Sequence, residues 1–236
     1  MVETTTKPVF LYDDGCPLCR GYTKTFTTLG WAERAPFSKI DEDTMAALDM
    51  DKARHHIPLT DAMGETRYGL DGILDVVGDA VPILGKIGRA APVRAVLNRL
   101  YWFITYNRRH IVAAAPPAEG VDCAPDFKPE PVAAYLTFCG VAAAGLATTA
   151  GVVVPVVGAT AAGAVMVAGR DEGWKVENME AAAHVGTVAL AAAGAAGAAN
   201  LLGANRALVT AAAIATAGHK LWLRRWMRDP GTRLNR

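Results

Sequence analysis

The chain has 236 residues and a formal net charge of +1, a length that allows one ordinary domain or two smaller ones and a charge that offers no overall electrostatic case for nucleic acid. Composition favours two parts. The first 130 residues are mixed and charged, whereas Pro131 to Leu223 is dominated by Ala, Gly, Val and Leu.

Val9-Phe10-Leu11-Tyr12 reads as a buried strand that enters a loop at Asp13-Asp14-Gly15. Tyr22, Phe26 and Leu29 then recur at helical spacing, and Gly30 supplies a stop. Cys16 therefore falls at or just before a helix N-terminus, with Pro17 at an early helical position that tolerates it. A second strand is predicted over 35–40 and a helix over 42–53. A hairpin follows over 57–61 and 65–69 around a turn at Ala62-Met63-Gly64, and then helices over 71–80 and 92–108. The order β-α-β-α-β-β-α is that of an α/β thioredoxin-like domain with an added helix, over residues 1–115.

The chemistry concentrates in the cysteines. Cys16, Cys19, Cys123 and Cys139 are too few to staple a secreted disulfide scaffold. Met1-Val2-Glu3-Thr4-Thr5-Thr6-Lys7-Pro8 lacks the apolar core of a cleavable signal, so the N-terminal domain is expected in the reducing cytoplasm. There a close pair points to redox or metal chemistry. Free N–H groups at a helix start favour the thiolate of the first cysteine, making Cys16 the expected nucleophile and Cys19 the resolving thiol. No further cofactor is implied beyond the redox-active disulfide. The alternative is soft-metal binding or transfer to a membrane partner through the same pair. Tetrahedral zinc would need two more ligands, and no second ligand pair is evident in the sequence.

Pro58 adds a second mark. Thioredoxin-like folds place a cis-proline at the start of the third strand opposite the cysteine turn, and Ile57-Pro58 occupies the matching slot; the backbone before such a proline can pair with a substrate strand. An ordinary trans-proline at a strand edge is the other reading. Asp13 and Asp14 read as caps of the cysteine helix, or one of them as a proton acceptor near Cys19. His55, His56 and His110 read as surface residues, and Tyr12 as core.

Tyr12-Asp13-Asp14-Gly15-Cys16-Pro17-Leu18-Cys19 resembles the signature of the DCC family of predicted thiol–disulfide oxidoreductases. The family's Asp and two cysteines are carried here by Asp13, Cys16 and Cys19. Gly69-Leu70-Asp71-Gly72-Ile73-Leu74 is similar to the family's glycine-led helix after the hairpin, although Asp71-Gly72 departs from the expected Ala. Tyr101 through Arg108 is similar to its closing Tyr…Asn-Arg helix. The resemblance covers about residues 8–110 and implies a thioredoxin-like fold with the two cysteines as reactive pair. The expected partners are a protein or small-molecule thiol or disulfide.

After a linker over 116–130, four weakly charged stretches follow, at about 131–150, 152–169, 181–202 and 205–223. Each is long enough to cross a bilayer, and together they predict a four-helix membrane region over 131–226 with a basic tail at 227–236. Pro155 falls in the first turn of the second. The alternative is a soluble Ala-rich bundle. Arg108 and Arg109 before the first span, and Lys220, Arg224, Arg225, Arg228, Arg233 and Arg236 at the end, place both the N-terminal domain and the tail in the cytoplasm. Nucleic acid is a weaker reading of that tail. Trp174, Trp222 and Trp226 suit interface anchoring. His184 and His219 could share a haem, metal or quinone site, or be ordinary interfacial residues. Cys139 reads as packing, and Cys123 as an exposed thiol able to exchange with Cys16.

Overall fold

The computed structural model describes residues 7–113, 125–150 and 176–224, without the side chains of residues 149–150 and 176–178. The chain divides into two compact units, Met1–Asp126 and Phe127–Arg236.

In the first unit, strands β1 (Val9–Tyr12), β2 (Glu33–Pro36), β3 (Pro58–Thr60) and β4 (Thr66–Tyr68) form one sheet in the order β2-β1-β3-β4. β1 runs parallel to β2 with Val9 opposite Glu33, and antiparallel to β3 with Phe10 opposite Leu59. A parallel pair needs a crossover, which α1 (Pro17–Thr28) provides. The side chains of β1 alternate between two faces, and each face has its own cluster. Phe10 gathers Ala32, Ile57, Leu59 and Val76, with Phe26 of α1 at 5.1 Å between ring centroids. Leu11 gathers Phe37, Leu48 and Ala53 on the other side. Gly30, at φ +72°, lets the chain leave α1 and return to β2.

This small mixed sheet with helices fits the expected thioredoxin-like architecture, with four local departures. The predicted strand 35–40 stops at Pro36, which has no N–H to continue the ladder, and residues Phe37–Lys39 make a 3₁₀ turn instead. The predicted helix 42–53 is two helices, α2 (Glu42–Ala47) and α3 (Met50–His55), because Asp41 and Asp49 each cap their own first turn. Between α4 (Leu70–Ala80) and α6 (Ala91–Val112) lies an additional helix, α5 (Pro82–Arg89). Its inward face is made of Gly85 and Gly88, and its apolar residues Ile83, Leu84 and Ile87 lie outside. Finally, no cis peptide occurs among the described residues, so Ile57–Pro58 is trans.

The second unit contains α7 (Pro129–Ala150), α8 (Val176–Leu201) and α9 (Arg206–Leu223). Its core is mostly alanine: Ala143, Ala147, Ala189, Ala192, Ala193, Ala196, Ala213 and Ala217, with Val188 and Val209. Two segments, Pro129–Thr148 and Met179–Leu201, are long and apolar enough to cross a membrane. The expected span 205–223 forms a helix but is too polar to join them, since Arg206, His219 and Lys220 lie within it. The expected span 152–169 lies outside the described residues.

Candidate redox site

The site begins where β1 ends. Asp13 Oδ1 accepts the Gly15 N–H at 2.8 Å, and its carbonyl accepts the Cys16 N–H at 3.1 Å, an Asx turn that swings the chain from strand into helix. Cys16 keeps extended backbone angles (φ −95°, ψ 107°) and becomes the N-cap of α1, its Sγ accepting the Cys19 N–H at 3.3 Å. Pro17 follows at the start of the helix, where a missing N–H costs nothing. Asp14 turns aside and accepts the Ser38 hydroxyl. The expectation that an aspartate caps this helix is therefore corrected. Both carboxylates precede the capping position, and it is the Cys16 side chain that accepts the Cys19 N–H.

Cys16 and Cys19 are free thiols, 5 % and 4 % exposed. The Cys19 thiol, donating toward the Cys16 sulfur, holds the Cys16 thiol down from its ordinary 9.0 to about 6. Burial opposes this, while the Cys19 N–H and the Arg108 guanidinium assist it. The same pairing and burial push the Cys19 thiol up. The pair thus divides the work: one sulfur is disposed to be thiolate and the other keeps a proton.

α6 completes the site from far along the chain. Arg108 Nη1 lies 3.9 Å from Cys19 Sγ, and Nη2 donates to the Arg54 carbonyl at 3.2 Å, which holds the guanidinium beside the sulfurs. Sequence reading used Arg108 as a basic residue before the first span and as the end of a family motif, with no role beside the cysteines. The signal that could have found its role was its place in the Tyr…Asn-Arg motif. Tyr22 of α1 also sits in the electrostatic neighbourhood of the pair, its hydroxyl held well above the usual phenol range, chiefly by burial.

Pro58 opens β3 beside Ile57, whose backbone is already committed. The Ile57 N–H donates to Tyr101 Oη at 3.1 Å, and its carbonyl accepts the Gly69 N–H at 2.8 Å. The expectation that this backbone stands ready to pair with a substrate strand is corrected, because α6 and the turn before α4 occupy both groups. Gly69 has φ +69°, and a Cβ there would lie 2.9 Å from His56 Nδ1. His56 in turn stacks on Tyr101 at 5.8 Å, so it is part of this packing rather than a bare surface residue. His55 contacts the Tyr106 ring, and His110 is buried beside Asn107.

The other candidates lie elsewhere. His184 Nδ1 accepts Arg224 Nε at 3.2 Å, whereas His219 stacks on Trp222, so the two histidines have different partners. Among the described residues no three His, Cys, Asp or Glu side chains cluster to hold a metal. Cys139 is buried against α8, 3.1 Å from where a Cβ on Gly186 would sit. Cys123 lies outside the described residues.

A thioredoxin-like sheet whose first strand runs into a Cys-x-x-Cys pair at a helix start defines a class of thiol–disulfide proteins. Residues 10–114 match the model of the DCC1-like thiol–disulfide oxidoreductases, so this segment of the chain is similar to that family. The match stops short of the second unit. No curated protein and no solved structure matches the chain.

Proposed function

We propose that the protein is a membrane-tethered thiol–disulfide oxidoreductase in which Cys16 attacks and Cys19 resolves. The observation that carries this reading is the asymmetry of the pair: Cys16 is drawn toward thiolate by Cys19 at the helix start, with Arg108 alongside. The Cys16 thiolate attacks one sulfur of a substrate disulfide. The S–S bond breaks, the leaving sulfur takes a proton, and a mixed disulfide remains. Cys19 then gives up its proton and attacks the Cys16 sulfur. The second substrate thiol leaves, and the two electrons passed to the substrate are recorded as a Cys16–Cys19 disulfide. A dithiol donor would reverse this change, so the cycle calls for no cofactor. Protein or small-molecule disulfides both fit this chemistry.

Membrane tethering is supported by the two apolar helices, of which the Pro129–Thr148 segment has only 33 % of its most apolar window buried within the protein. A multi-pass arrangement with the redox unit and basic tail in the cytoplasm agrees with the Arg-rich flanks.

The test is iodoacetamide alkylation of the full chain in nanodiscs across pH, alongside disulfide reductase activity and partner trapping with Cys19→Ser. Modification of Cys16 with a midpoint near pH 6, and a mixed disulfide that accumulates in Cys19→Ser, are the expected results. Tight copper or zinc binding lost in Cys16→Ser, with no reductase activity in the parent, would overturn the reading in favour of metal transfer.

A further inference from the structure

We propose that α5 and α6 form a docking face that lays the redox unit on an anionic bilayer surface, an inference that rests on the membrane-tethered reading above. An amphipathic helix on a globular domain ordinarily turns its apolar stripe to the core. In α5 the arrangement is reversed. The inward positions are Gly85 and Gly88: a Cβ on Gly85 would fall 2.4 Å from the Gly78 Cα, and one on Gly88 would fall 2.5 Å from a Leu74 methyl. Glycine is what lets α5 lie this close to α4. The large side chains are left outside, with Ile83 61 %, Leu84 48 % and Ile87 49 % exposed. α6 continues the pattern, since Val96 and Leu100, one turn apart, are 63 % and 51 % exposed, with Trp102 and Ile104 further along.

Charge decides which occupant fits. No Asp or Glu occurs from residue 80 to residue 113, a stretch that carries Lys86, Arg89, Arg94, Arg99, Arg108 and Arg109. Arg89 pairs with Asp75, Arg94 with Asp71, and Arg108 belongs to the redox site. Lys86 and Arg99 form no ion pair among the described residues, and both are exposed. Each stands one residue before an outward apolar side chain, Ile87 or Leu100, and so edges the stripe. An apolar stripe bordered by long cations, with no carboxylate in the segment, suits the headgroup–acyl boundary of anionic lipid. The stems can lie along the apolar face while the charges reach phosphate. The first candidate span begins at Pro129, and the connecting residues 114–128 can extend about 50 Å, so the tether leaves the redox unit within reach of the same bilayer.

The experiment uses the full chain in nanodiscs doped with a diazirine lipid, in neutral phosphatidylcholine and in a mixture with phosphatidylglycerol, with labelled peptides mapped by mass spectrometry. Labelling of residues 82–104 is expected in the anionic discs. It should fall about tenfold in Lys86→Glu/Arg99→Glu and in Ile83→Asp/Ile87→Asp/Leu100→Asp, while Cys16 keeps its alkylation profile as a check on folding. Labelled segments 129–148 and 179–201 with an unlabelled 82–104 would overturn the docking face and leave the tethering intact. Cross-linking of 82–104 to a second copy without lipid label would overturn it equally. If neither region is labelled and carbonate extracts the chain, the membrane reading itself fails and the docking face with it.

Discussion

The two units bury opposite kinds of side chain. In the redox unit the large groups are inside: Phe10, Leu11, Phe37, Ile57 and Leu59 are buried around the sheet. In the helical unit alanine is inside, and Phe138, Val141, Leu201, Leu202, Leu208 and Ile214 are outside. Burying a methyl removes little surface from water, at about 0.8 kcal/mol per carbon, so an alanine core is a weak basis for a water-soluble bundle. In lipid the balance changes. There is no gain from hiding large apolar groups, and small residues let helices approach closely. The contrast teaches that hydrophobicity alone does not say which way a face points. α5 and α6, on the redox unit, share the outward pattern of the second unit.

The largest expected effect breaks the comparison at its functional end. Cys16→Ser should reduce disulfide reduction to the uncatalysed background while leaving the thermal transition of the full chain in place, measured by turnover and calorimetry. Next comes the packing contrast itself. Phe10→Ala should cost about 3–5 kcal/mol in denaturant unfolding of the redox unit, by the loss of a fully buried ring. Phe138→Ala, on the outer face of α7, should cost less than about 1 kcal/mol in nanodiscs, because the ring leaves one apolar surrounding for another. Ala192→Leu should cost about 1–3 kcal/mol there, by overpacking a fully buried position. A reversed order would remove the distinction between the units.

A smaller effect tests how the site is supported. Gly69→Ala should destabilise the redox unit by about 1–3 kcal/mol, since its positive φ strains any Cβ and His56 occupies the space. Smaller again is the pH dependence. Folded Cys16 ionises near 6 against an ordinary 9.0, so between those values the folded chain has released a proton that the unfolded chain still holds. Reduced protein should therefore gain stability as pH rises from 6 to 9 and lose that gain as pH falls through 6. Cys16→Ser should flatten the profile. Arg108→Leu should shift the alkylation midpoint upward with little change in unfolding, and Arg108→Lys should restore much of it.

Much of the redox unit was legible because its signals are local. The apolar run Val9–Tyr12, the Asp13-Asp14-Gly15 loop, the proline one residue after Cys16 and Gly30 each act within a few residues. Less legible was whatever depends on a distant neighbour. The Asp49 N–H meets the Tyr68 hydroxyl from 19 residues away, and the Ile57 N–H meets the Tyr101 hydroxyl from 44 residues away. In the helical unit composition marked the region, and among the described residues two segments reach the length and apolarity of a span.

By itself the sequence determined the two-part organisation, the strand–cysteine–helix order and the closeness of the Cys16–Cys19 pair, because spacing and turn chemistry operate along the chain. Only the tertiary structure decided that Cys16 itself caps the helix, that Arg108 stands beside the pair, and that α5 turns glycine inward and isoleucine outward. Those outcomes depend on which surfaces meet across long separations, and a contact between two distant residues leaves no mark on the spacing of either.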